Sequence, residues 1–190
     1  MMSGQKSVGI FLSLWIGLVV FGFRPDPVLC ENIPTVNSFL PEFKMESPAS
    51  ENEKAYLGIG SAEFFSIQQM DSELLMIEIV GVYCPQCHIQ MPLFNDLFQR
   101  IKRDPLLCGK IKVLAIAIGA NEIETAYFRD EYHIDYPVIK DTPFTIHKGL
   151  GEPRTPFTML VTRDKKVVFA HLGVIRDMDK FFLHLKGLLK

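Results

Sequence analysis

Cys84-Pro85-Gln86-Cys87 sets two thiols at the boundary between two different hydrophobic patterns. Before it, Leu74 to Tyr83 is a near-continuous apolar run that reads as a buried strand. After it, Ile89, Leu93, Phe94, Leu97, Phe98 and Ile101 recur with the helical period. The pair therefore falls where a strand ends and a helix begins. There the unpaired N–H groups of the first helical turn and the positive end of its dipole both favour a thiolate. The chemistry this spacing points to is reversible exchange between a dithiol and a disulfide. A structural zinc site needs a second pair at similar spacing, and the other cysteines, Cys30 and Cys108, are isolated. His88 follows Cys87 directly and diverges from it on a helix, so it is a poor third ligand. No metal ligand is assigned, and no cofactor is expected beyond the Cys84–Cys87 disulfide itself.

The elements that must hold this pair can be read around it. A strand over Leu74–Val82 and a helix from Cys84 to about Arg103 come first, the helix ending at Asp104-Pro105 because the residue before proline disfavours helix. Lys110 to Ile118 reads as a second buried strand closed by Gly119, Glu122 to His133 as a helix, and Tyr136 to Ile139 as a short strand. Thr158–Thr162 and Val167–His171 form a hairpin about Arg163-Asp164-Lys165-Lys166. A last helix opens at Asp177, with Met178, Phe181, Phe182, Leu185, Leu188 and Leu189 on one face. This order implies parallel strands joined by crossover helices, then an antiparallel hairpin and a covering helix: a mixed central sheet in an α/β/α sandwich. Ala55–Ile59 and Phe64–Ile67 read as short edge elements, and residues 31–54 as a linker or irregular lead-in to a domain over 55–190.

Residues 1–30 carry a different signal. Val8 to Phe23 is apolar behind Lys6, and Arg24-Pro25-Asp26-Pro27 follows. This is the pattern of a signal peptide or membrane anchor, short for a span. Cleavage after Cys30, retention as an anchor and lipidation at Cys30 all remain open. Each places the rest of the chain outside the cytoplasm, in a bacterial periplasm or on the outer face of the cytoplasmic membrane, where disulfides persist. At 190 residues, 48% hydrophobic and with a net charge of −2, the chain fits one domain plus this segment and has no nucleic-acid footprint.

From about Phe64 to Lys190 the chain resembles the thioredoxin superfamily, and within it the exported TlpA/ResA-like thiol–disulfide oxidoreductases. Four features carry the likeness: the strand–C-x-x-C–helix, Pro92 inside the active-site helix, Thr155-Pro156 before the hairpin, and the extra helix and strand over Glu122–Ile139. The resemblance implies a thioredoxin-like fold with a β-α insertion and a cis bond before Pro156, opposite the dithiol. It implies Cys84 as the attacking thiolate and Cys87 as the resolving thiol, with Tyr83, Pro85, Gln86 and Thr155 touching the partner. The implied partners are protein thiols and disulfides, often apocytochrome c cysteines, with an upstream membrane electron donor or acceptor.

Glu78 is a carboxylate inside an apolar strand, six residues before Cys84. It matches the family's buried acid beneath the resolving cysteine, where burial raises its pKa and suits it to proton exchange with Cys87. Strand alternation toward solvent is the competing reading. One departure stands out: ResA-like chains carry a glutamate three residues after the second cysteine, and here that position is Gln90. Pro85-Gln86 also differs from the Gly-Pro of reducing thioredoxins and does not fix the direction of electron flow. His88 either favours a Cys84 thiolate or is a solvated surface residue, and Cys108 is expected as a small buried residue. Two other functions fit less well. A peroxiredoxin-like peroxidase needs Pro-x-x-x-Thr/Ser-x-x-Cys, but the positions ahead of Cys84 are Ile77 and Gly81, and ahead of Cys87 they are Val80 and Cys84. A soft-metal (copper) chaperone lacks a histidine in ligand spacing beyond His171.

Overall fold

The computed structural model describes Met1 and residues 33–189; the expected signal or anchor and Cys30 lie outside the described residues. Among the described residues no helix is long and apolar enough to cross a membrane.

The apolar run before the cysteines forms β3 (Leu74–Val80), buried at every position. It is the middle strand of a five-stranded sheet. On one side it runs parallel to β4 (Ile111–Ile118), which in turn runs parallel to β5 (Val138–Asp141). On the other side it is antiparallel to β6 (Phe157–Thr162), which pairs with β7 (Val167–Leu172), giving the order β5-β4-β3-β6-β7. A strand buried on both faces has little use for alternation, which explains its continuous apolar sequence. Leu74, Met76 and Val80 join one core cluster with α2 (Pro85–Arg103) and α5 (Met178–Leu188). Leu75, Ile77 and Ile79 join the cluster on the other face. The mixed sheet between two apolar layers is the expected architecture.

The inserted segment holds α3 (Glu122–Glu131) and β5, as the pattern indicates, and a short helix that the pattern does not show, α4 (Thr145–Gly149), follows it. Asp141 builds α4 by accepting from the N–H groups of Ile146 and His147, at 3.2 and 2.9 Å. Five residues are too few to show a helical period.

The lead-in requires a correction. Within 31–54 lie β1 (Met45–Glu46), which pairs with β2 (Phe64–Phe65), and most of α1 (Glu51–Leu57). Leu40, Met45 and Leu57 are buried in the core, and one compact unit runs Glu31–Lys190. Ala55–Leu57, read as an edge element, is the end of α1. Local chemistry decides this: Ser50 caps the Glu53 N–H, acids fill the first turn, and Gly58 takes the left-handed C-cap at φ 72°.

Candidate active site

The two thiols sit at the start of α2 in unequal surroundings. Cys84 is the N-cap and half-buried, Pro85 occupies the first turn, and Cys87 is fully buried one turn in. The Cys87 N–H donates to Cys84 Sγ at 3.3 Å, and the Cys84 thiol donates to the Thr155 carbonyl at 3.5 Å. Partial burial pushes the Cys84 pKa up, but hydrogen bonds from Cys87, Thr155 and the Cys87 and Gln86 backbone outweigh it, leaving the thiol below its ordinary value. Burial, then the Cys84 sulfur, push Cys87 far above its ordinary range. One thiol is primed to ionise and the other to stay protonated.

The Thr155–Pro156 peptide is cis, Pro156 is buried, and the Pro156 carbonyl accepts from the Gly173 N–H at 2.8 Å. Gly81 lies under the pair: a Cβ there would stand 3.4 Å from Cys84 Cβ and 3.5 Å from Thr155 Oγ1. Tyr83, Pro85 and Gln86 are exposed beside Cys84. His88 points inward instead: its Nε2 lies 2.7 Å from the Val82 carbonyl, to which it must donate, and its ring stacks on Tyr132. The histidine therefore holds the strand–helix loop.

Glu78 is 0% exposed, on the central strand and beneath α2. Its Oε2 accepts from the Tyr136 hydroxyl at 3.4 Å, while Oε1 has no hydrogen-bond partner. Burial raises its pKa to about 8, against the partial relief of Tyr136 and the Gln90 amide. The Tyr136 hydroxyl also lies 3.6 Å from Met91 Sδ on α2. Gln90 is buried too. Its Oε1 accepts from the Ile175 N–H at 2.9 Å and its Nε2 donates to Thr158 Oγ1 at 3.5 Å. Neither Tyr136 nor Thr158 was singled out from the sequence. Tyr136 looked like the start of a strand, and no spacing rule links it to a residue 58 positions away.

Cys108, expected to be buried, is exposed. It falls in the turn after α2, where Leu107 takes the buried place instead.

No protein-family model matches the chain. The thiol–disulfide oxidoreductase ResA of Halalkalibacterium halodurans is 22% identical over 124 residues, 65% of this chain and 68% of that protein. ResA of Bacillus thuringiensis subsp. konkukian is 26% identical over 88 residues, 46% and 48% of the two chains. The chain thus spans about two thirds of one curated relative and about half of another. Among solved structures, the thioredoxin domain of a thiol–disulfide oxidoreductase from Bacteroides vulgatus superposes with a TM-score of 0.62 at 10% identity, covering 82% of this chain and 99% of that one. StoA from Bacillus subtilis does so with a TM-score of 0.53 at 14% identity, covering 67% and 92%. The chain is ResA-like, on a thioredoxin fold. At its site this chain has a buried acid, Glu78, on the strand and a buried amide, Gln90, on the helix.

Removing the Tyr136 hydroxyl tests how that acid is held. In Tyr136→Phe the carboxylate loses its one hydroxyl donor, so its titration midpoint should rise by about one unit. The carbon-13 shift of the Glu78 carboxyl across pH reads this directly, and an unmoved midpoint would show that burial alone sets the value.

Proposed function

We propose that the chain is a thiol–disulfide oxidoreductase that exchanges its Cys84–Cys87 dithiol with protein disulfides outside the cytoplasm. The reading places it in a bacterial periplasm or on the outer face of the cytoplasmic membrane, with a membrane-borne electron donor or acceptor behind it. By its ResA likeness, apocytochrome c cysteines are one substrate class. The observation that carries the reading is the unequal placement of two neighbouring thiols at the start of α2: Cys84 half-buried at the N-cap, accepting from the Cys87 N–H, and Cys87 fully buried.

The cycle follows from that asymmetry. The Cys84 thiolate attacks a partner disulfide, a mixed disulfide forms, and the partner's second sulfur leaves as a thiol. Cys87 then loses its proton, attacks Cys84 Sγ and releases the partner's first sulfur, so two electrons pass to the partner; the reverse order oxidises one. Glu78 receives the Cys87 proton. Thr155 lines an extended partner segment beside Pro156.

Equilibration in glutathione buffers, with mass spectrometry of alkylated peptides, tests this. The expected result is loss of two protons confined to the Cys84–Cys87 peptide, reversed by reduced glutathione. A pair that stays reduced at every glutathione ratio while binding one zinc would replace the redox reading with a metal site.

A further inference from the structure

An apolar recess of about 400 Å³ opens beside Cys84, between the loop ahead of α2, the end of β4 and Phe144. Val82, Tyr83, Ile118 and Phe144 supply apolar surface, and Glu124 is the one charged residue in its lining. The recess depends on a close approach. Phe144 lies over Gly119 so tightly that a Cβ on the glycine would stand 2.3 Å from Phe144 Cζ. Both residues have left-handed backbones, Gly119 at φ 65° and Phe144 at φ 56°. A phenylalanine rarely adopts that conformation, and here it brings the ring onto a bare backbone. Even so, Phe144 stays 40% exposed and Tyr83 78% exposed. Ile123 and Tyr127, one turn apart on α3 and flanking Glu124 in sequence, are 80% and 60% exposed. Uncovered apolar surface gathered around a reactive group marks a contact site. Glu124 accepts from the Asn121 N–H at 2.9 Å and the Tyr83 hydroxyl at 2.8 Å, which hold its carboxyl below the ordinary range and keep it ionised.

We propose that this recess is the subsite for the residue beside the reactive cysteine of a partner polypeptide, and that it selects a large apolar or aromatic side chain from a positively charged segment. The proposal rests on the oxidoreductase reading and names its substrate class. Cys84 forms part of the wall, so a partner joined to its sulfur must lay a neighbouring side chain against these residues, since consecutive residues of an extended chain are only about 3.3 Å apart along it. Apolar walls favour an apolar side chain and penalise an unpartnered polar one. A fixed negative charge at the recess favours a cationic segment. In the step concerned, the Cys84 thiolate displaces one sulfur of the partner disulfide, which leaves as a thiolate and takes a proton from water. Cys87 then forms the Cys84–Cys87 disulfide and frees the partner's other thiol.

The test uses symmetric disulfide dimers of three short peptides, with centres Lys-Cys-Phe, Lys-Cys-Ala and Glu-Cys-Phe, reacted with the reduced full chain by stopped flow. A symmetric dimer ensures that either point of attack joins the same peptide to Cys84. The Phe peptide should react about tenfold faster than the Ala peptide, as expected for burying roughly half a phenyl side chain. The Lys form should outpace the Glu form, by a margin that shrinks with salt. Phe144→Ala should bring the Phe-to-Ala ratio toward one. If that variant fails to fold, Tyr83→Ala gives the same readout from the other aromatic wall. Equal rates for the Phe and Ala peptides on the unaltered chain, or an unchanged ratio in a folded variant, would overturn the subsite. Exchange with glutathione disulfide separates the two readings. If it proceeds while the peptides react alike, the subsite alone falls; if it does not occur, the oxidoreductase reading falls with it.

Discussion

Serine in place of Cys87 should turn the protein into a trap, with covalent partners accumulating at Cys84. The mixed disulfide formed by the Cys84 thiolate then has no internal thiol to displace it and must wait for a free thiol from solution. An adjacent, oriented nucleophile is worth orders of magnitude over a dilute one, so the adduct should live at least about a hundredfold longer. With the exposed Cys108 changed to alanine in both variants, Cys84→Ser should trap nothing, because Cys87 is 0% exposed and held protonated by burial. Non-reducing gels of the two variants exposed to the same disulfide-bearing proteins give the comparison. Adducts on Cys84→Ser alone would reverse the two roles.

Glu78→Gln should change both the pH–rate profile and the stability of the fold. Glu78 has an ordinary value of 4.5 and a folded value of about 8, raised chiefly by burial. Below pH 4.5 the carboxyl is neutral in folded and unfolded chains alike, so it adds no penalty. Between 4.5 and about 8 the unfolded chain releases the proton and the folded one keeps it, so stability falls as pH rises, then levels above the folded value. Across that window the loss is of the order of 4 kcal/mol. Glutamine keeps the shape and removes the titration, so the difference between wild type and variant should grow from pH 4.5 to pH 8 in favour of the variant. Release of mixed disulfides should slow in the variant most at and above about pH 8, where the Glu78 carboxyl is ionised and can accept the Cys87 proton. Denaturant midpoints and exchange rates across pH read the two effects. Identical midpoints and rates at every pH would mean that the carboxyl neither titrates nor exchanges protons in the folded chain.

The strand, the helix and the dithiol between them were legible because each leaves a local pattern. A near-continuous apolar run, a 3.6-residue period and a fixed cysteine spacing all lie within thirty consecutive positions. Glu78 was legible only as a conflict between a charge and its surroundings. What settles the conflict is the strand order, which puts β3 in the centre with no solvent edge. The residues that hold the acid and the buried Gln90 amide come from farther off. Tyr136 arrives by way of the inserted segment and Thr158 from β6, 68 positions from Gln90. Pairings at that range follow from topology, which no window of sequence contains. The lead-in was misread for the opposite reason. Ser50, Glu51, Glu53 and Gly58 spell out a short helix, but the surrounding polar, proline-containing stretch has no sustained period to draw attention to them.

The lead-in also fixes the order in which this molecule can be assembled. Asn37 and Leu40 donate backbone hydrogen bonds to Val167 and Lys165, and Glu42 pairs with the Lys165 ammonium, 123 positions later in the chain. The first part of the domain to be synthesised is therefore completed by almost the last. Met45 and Phe65, both fully covered in the finished fold, share one core cluster with Met159, Val161 and Val167, so that cluster is complete only once the β6–β7 hairpin is in place. Contacts of such long range incur their loop-closure entropy before any packing rewards them, which slows folding and lengthens the exposure of apolar surface. A chain still lacking its C-terminal part thus leaves apolar surface of the leading segment without its late-arriving partners, which favours aggregation.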